Sequence, residues 1–63
     1  MRNSTNIRVP RKYYAMIREI YRDEDGYWVY LNPGYHTVDH GKTIHEETVA
    51  GVLREIRQIK KGD

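Results

Sequence analysis

The chain has no cysteine and no phenylalanine, only two prolines and a single serine, Ser4. Without cysteine there is no disulfide, no thiolate zinc site and no thiol nucleophile. That composition suits a reducing compartment. No apolar run approaches the ~20 residues of a membrane span, and no signal-peptide pattern opens the chain. A cytoplasmic protein is therefore expected. At 63 residues there is room for one domain, which buries only about 60% of its unfolded surface. Domains this small usually complete their core with a disulfide, a metal or a partner. With the first excluded, a homodimer or a larger protein partner is the expected route.

The net charge is +2, unevenly laid out. Residues 1–12 carry Arg2, Arg8, Arg11 and Lys12 with no acid, and residues 54–61 carry four bases against Glu55. The middle, 13–53, has three bases against seven acids. Basic ends attract phosphate or an acidic surface, so Arg8, Arg11 and Lys12 are candidate anion or nucleic-acid contacts.

"MRNSTNIRVPRK" is polar, lacks hydrophobic periodicity and contains Pro10, and reads as a flexible basic arm over 1–12. Residues 13–63 read as one domain. "YYAMIREIY" (Tyr13–Tyr21) is rich in strand-forming residues. In strand register, Tyr13, Ala15, Ile17, Glu19 and Tyr21 share one face, and Tyr14, Met16, Arg18 and Ile20 the other. Asp25-Gly26 then signals a hairpin, since glycine accepts positive φ without a Cβ clash. A three-residue loop sets Tyr21 opposite Val29, and a two-residue loop shifts that pairing by one. The second strand, Tyr27–Leu31, puts Tyr27, Val29 and Leu31 on one face and Trp28 and Tyr30 on the other.

"NPG" ends that strand, and "YHTV" (Tyr35–Val38) reads as a short third one. Thr43 followed by Glu46 has the form of a capping box. Val49, Val52, Leu53, Ile56 and Ile59 follow at helical spacing, Lys60 and Lys61 suit a helix C-terminus, and Gly62 supplies a stop. This predicts a helix over Ile44–Lys61, a rod of roughly 27 Å. The expected fold is α+β: a small antiparallel sheet of two to three strands packed on one C-terminal helix, ββ(β)α. Its sheet has a second, uncovered face, for which Tyr14, Trp28 and Tyr30 are the candidates.

The chemistry-bearing residues reduce to quieter roles. "HTVDH" spaces His36 and His40 by four, which aligns two ligands only on a helix, and Gly34 and Gly41 argue against a helix there. No metal or other cofactor is expected. "GYHTVDHGKT" has six residues between Gly34 and Gly41-Lys42-Thr43 where a Walker loop has four. Lys42 remains a candidate anion contact at the predicted helix start. Asp23, Glu24 and Asp25 form a solvated turn, and no nucleophile is paired with a base. The chain is thus expected to be no enzyme and to take no small-molecule substrate.

Aromatic rings beside arginines describe either a protein interface or a single-strand nucleic-acid platform. Tyr14, Trp28, Tyr30 and Arg18 are the expected partner-binding residues, with Arg22 added on the nucleic-acid reading. Too few bases share that face for nucleic acid to lead, so a protein partner is preferred.

The succession "DEDGYWVYLNPG", a further Thr, then "GKTIHEE" and a helix resembles the N-terminal domain of HicB-type antitoxins. The resemblance spans roughly Tyr13 to Lys60 and does not extend to that family's fourth strand or DNA-binding segment. It implies a partial ribonuclease-H-like unit that blocks a small RNA-cleaving toxin and does no chemistry itself. A nuclease inhibitor carried by a phage or mobile element is a second reading of the same class. The alternative from a different class is a small nucleic-acid-binding protein using the aromatic face and the basic termini.

Overall fold

The computed structural model describes residues 1–62. In chain order these form β1 (Arg2–Asn3), a 3₁₀ helix (Arg11–Met16), β2 (Ile17–Asp23), β3 (Gly26–Leu31), β4 (Tyr35–His36), β5 (Thr43–Glu46), α1 (Val49–Ile56) and β6 (Lys60–Lys61). The main sheet has the order β1-β2-β3-β5, with β1 parallel to β2 and the other pairs antiparallel. β4 and β6 form a separate two-stranded ribbon. The class is α+β, as expected, with more strands than the sequence reading assigned.

The hairpin is the element the sequence specifies most directly. Asp23 pairs with Gly26 and Tyr21 with Trp28, so the loop is the two-residue one, Glu24-Asp25. The positive φ falls on Gly26, at +124°. A Cβ there would also lie 2.8 Å from the Glu46 carbonyl oxygen of β5, so glycine serves both the turn and the close approach. Asp23 Oδ1 accepts the Asp25 N–H at 2.8 Å, which fixes the turn from its own side chain.

The first strand begins later than Tyr13. Pro10 is followed by a 3₁₀ helix that takes up Tyr13–Met16, and β2 starts at Ile17. A bulge between Ile17 and Glu19 then breaks the alternation. The extra residue, Arg18, lets Ile17 and Ile20 both face the core, each fully buried, although three positions apart they would otherwise point to opposite faces.

Thr43–Glu46 is a strand, not a capping box. Tyr27, Val29 and Leu31 of β3 turn backbone groups away from β2, and those groups must be paired if buried. β5 supplies the partners: Val29 pairs with Ile44, and Leu31 N–H donates to the Lys42 carbonyl at 3.0 Å. Ile44 thereby enters the core, 4% exposed. The helix starts only at Val49, with Thr48 as its N-cap; its Oγ1 accepts the Gly51 N–H at 3.0 Å.

The helix also ends early, at Ile56. Eight residues span about 12 Å, and α1 packs on β5 and β3. Bonds from Gln58 N–H to Glu55 and from Ile59 N–H to Ile56 tighten the exit turn. The chain then runs back as β6 onto β4, and Gly62 N–H donates to Gly34 at 2.9 Å. Tyr35–Val38 thus contributes a two-residue strand that pairs with the tail and not with the hairpin.

Residues 1–12 are not a loose arm. Ile7 and Val9 are buried, 5% and 7% exposed, with Ile17, Ile20, Val29, Leu31, Ile44, Val52 and Ile56 in one core. The spacing Ile7–Arg8–Val9 is two apolar residues facing inward around one facing out. β1 lies along β2, and Ser4 N–H donates to the Ile20 carbonyl at 3.1 Å. The core therefore lies on one side of the sheet, closed by α1 and the N-terminal segment together.

Candidate functional site: an aromatic row on the uncovered sheet face

On the other side, direct cross-strand pairing sets Tyr21 (β2), Trp28 (β3) and His45 (β5) in one row. The next row is Glu19, Tyr30 and Thr43. Opposed residues share a face and touch. The Trp28 and His45 rings lie 4.0 Å apart at 14°, close face-to-face packing. Tyr21 lies near-parallel to Trp28 at 6.4 Å and to Tyr30 at 5.7 Å, the offset arrangement that ring quadrupoles favour. All three of those aromatic side chains are half-buried, and His45 is exposed.

Polar bonds hold the rings in place. Trp28 Nε1–H donates to Asp23 Oδ1 at 3.0 Å. His45 Nε2 lies 2.8 Å from the Asp25 carbonyl oxygen, which can only accept, so Nε2 carries the proton. The anchors are the last residue of β2 and the hairpin loop beside it. The Tyr21 and Tyr30 hydroxyls meet at 3.2 Å. At the far end, the Arg18 guanidinium stands 5.5 Å from the Tyr30 ring centroid, in cation–π range.

The face is electrically polarised. Arg18 and Lys42 border an open depression of about 380 Å³ beside Tyr30 and Pro33, and Arg2 shares a neighbouring one with Arg18. At the hairpin end, Asp23, Glu24, Asp25 and Glu47 surround a depression that Arg22 and Tyr27 also line. The aromatic strip thus runs from a basic corner toward an acidic hairpin loop.

Of the residues expected on this face, Trp28, Tyr30 and Arg18 are there. Tyr14 is not: it lies in the 3₁₀ helix, 42% exposed, outside the sheet. Tyr21 and His45 belong to the row although the sequence reading put Tyr21 with Ile17 and His45 on a helix. The signal for Tyr21 was the two-residue loop, which sets it opposite Trp28. Arg22 faces the other way, 5.6 Å from the Tyr27 ring. Among the anion candidates, Lys42 reaches the basic corner, where its Nζ donates to the Tyr35 carbonyl at 3.0 Å. Arg8, Arg11 and Lys12 are exposed on the N-terminal segment and the 3₁₀ helix, and Lys12 lies over Tyr13 at 5.3 Å.

His36 and His40 stack at 4.7 Å, and His36 Nδ1–H donates to the Thr37 carbonyl at 2.7 Å. Among the described residues no group of three or more His, Asp or Glu side chains is placed to hold a metal ion. Among them, too, no helix is long and apolar enough to cross a membrane.

The phenol pair makes the row sensitive to alkali. The bond to Tyr30, then desolvation, then the nearby negative charges push Tyr21 up from 10.0 to about 12. A raised acid holds its proton in the folded state while the unfolded chain loses it. Its contribution is thus complete below pH 10 and is lost as pH rises toward 12. Tyrosinate absorbance is expected to show one late-titrating tyrosine, moved down by Tyr30→Phe. A Tyr30→Phe chain with an unchanged late step would contradict this.

Comparisons with protein-family models, curated proteins and solved structures returned no match. Function must be read from this face.

Proposed function

We propose that the protein is a small, non-enzymatic protein-binding module whose aromatic sheet face docks a protein partner. The observation that carries this is the ordered row Tyr21–Trp28–His45 with Tyr30 beside it, on the sheet face that α1 leaves uncovered. Tryptophan, tyrosine and arginine are the residue types that dominate interface energetics. Here they are held by Asp23, Asp25 and Arg18, so little ordering entropy remains to be lost on binding.

The partner class we propose is a small nuclease, inhibited by occlusion in the manner of an antitoxin. What supports that finer reading is the hairpin "DEDGYWVYLNPG" alone. "GKTIHEE", the other stretch resembling HicB-type antitoxins, forms the approach to β5 and β5 itself instead of opening a helix.

The nucleic-acid reading is weaker on one specific ground. Phosphate would be welcome at Arg18 and Lys42, but Glu19 stands in the Tyr30 row and Asp23, Glu24, Asp25 and Glu47 crowd the hairpin end. A protein surface with its own pair of opposite charges fits both ends.

Trp28→Ala and Tyr30→Ala decide between the readings. Each is expected to weaken partner capture by ~2 kcal/mol or more, about thirtyfold, while circular dichroism stays native, since neither side chain is in the core. Capture should also resist salt. Steeply salt-dependent binding of single-stranded oligonucleotides, flattened by replacing Arg8, Arg11 and Lys12 and with no protein captured, would overturn the proposal.

A further inference from the structure

The two edges of the main sheet are finished differently. On the β2 side, β1 lies along the strand, Ser4 takes the Ile20 carbonyl, and the bulge at Arg18 breaks the edge. These are the usual protections against unwanted pairing. The β5 side is protected only by its shortness and the charge of Glu46: Thr43–Glu46 contains no proline and no bulge, and among the described residues no strand lies beyond it.

The direction of its free groups follows from the ladder. Leu31 N–H bonds the Lys42 carbonyl, and bonded pairs alternate along an antiparallel ladder. Val29–Ile44 and Tyr27–Glu46 are then the bonded pairs, and the N–H and C=O of Thr43 and His45 point outward. No hydrogen bond among the described residues takes them.

We infer that β5 is a self-pairing edge: two copies of the chain join antiparallel about a two-fold axis at Ile44, forming one continuous sheet. In that register Thr43 faces the second copy's His45, and all four outward groups of each strand find partners. Lys42 comes into register with the second copy's Glu46, twice by symmetry, a pairing that draws Lys42 Nζ from the Tyr35 carbonyl and Glu46 from beside Gly51. Sliding by two residues instead sets Thr43 against Thr43 or His45 against His45, leaves one bonded pair in place of two within Thr43–Glu46, and loses the Lys–Glu pairing. That self-complementarity is what selects a second copy over an unrelated strand. The row Tyr21–Trp28–His45 would then run on into the second copy's Thr43 and Tyr30. The inference rests on backbone direction and charge, not on the partner-binding reading above.

Sedimentation equilibrium of the full chain over a concentration series tests it, together with amide hydrogen exchange. The expected result is a monomer–dimer equilibrium in which the Thr43 and His45 amides gain protection as concentration rises. Thr43→Pro removes only an outward N–H, a change an edge strand tolerates. It should weaken dimerisation at least tenfold and leave the monomer folded. Lys42→Glu should weaken it too, and Lys42→Glu with Glu46→Lys should recover it, whereas Tyr30→Ala should leave it intact. A chain that stays monomeric, its two amides exchanging freely at every concentration, overturns the inference, as does a dimer that Thr43→Pro leaves unchanged. Should Thr43→Pro fail to fold, amide exchange in the unmodified chain decides.

Discussion

Removing residues 1–9 is expected to unfold the protein. A basic arm would be dispensable, but this segment contributes Ile7 and Val9 to the same core as α1 and covers the edge of β2. Burying an aliphatic side chain of that size is worth about 1.5–3 kcal/mol, so the two together account for roughly 3–6. Typical domains hold about 0.05–0.15 kcal/mol per residue, which for a chain of this length comes to roughly 3–9. The deletion therefore removes most or all of the margin. The truncated chain should show no cooperative thermal transition by circular dichroism and should exchange its amides rapidly. A truncated chain that melts like the intact one would show that α1 alone closes the core. Replacing only Arg2, Arg8 and Arg11 should leave the melt nearly unchanged, which separates the apolar contribution from charge.

Ile20→Ala is the second large effect. Ile20 is fully buried, sits opposite Val29, and shares the core with Val52 and Ile56 of α1. Large-to-small changes at such positions cost about 2–5 kcal/mol, the upper end applying where the surroundings cannot collapse. Collapse is limited here because Ile20 is held from both sides, by pairing to Val29 and by Ser4 on its carbonyl. The urea midpoint should fall by half or more, or the transition should vanish. Trp28→Ala, on the other face, should move it far less. A comparable loss for the two would mean that the aromatic row is a second core and not a binding surface.

Much of this fold was legible, and the failures have physical causes. The Asp25-Gly26 turn and the alternating second strand were clear because turn chemistry and period-two patterning agree there. Of the stripe, Val52, Leu53 and Ile56 were read correctly as one helix face, whereas Val49 is 40% exposed and Ile59 lies past the helix end. Its start was misplaced because Thr43-x-x-Glu46 and Thr48 offer rival caps. Only tertiary pairing reveals that Ile44 is needed beside Val29. A four-residue strand holds a single apolar residue, too few to display a period. Ile7 and Val9 show the same limit, two inward residues around an arginine. The bulge at Arg18 misassigned Ile17 and Tyr21 together, because one inserted residue exchanges the faces of all that follows. That slip placed Tyr21 away from Trp28, to which it is directly opposed.

The position of the core residues along the chain has a consequence for synthesis. Ile7 and Val9 are made well before Val52 and Ile56, which close the same core. The β2–β3 hairpin can form as soon as it emerges, but an isolated hairpin is at best marginally stable in water. Nothing to its N-terminal side can bury itself until α1 is free of the exit tunnel. Until then this segment stays open, with its tyrosines and isoleucines accessible to a protease or chaperone.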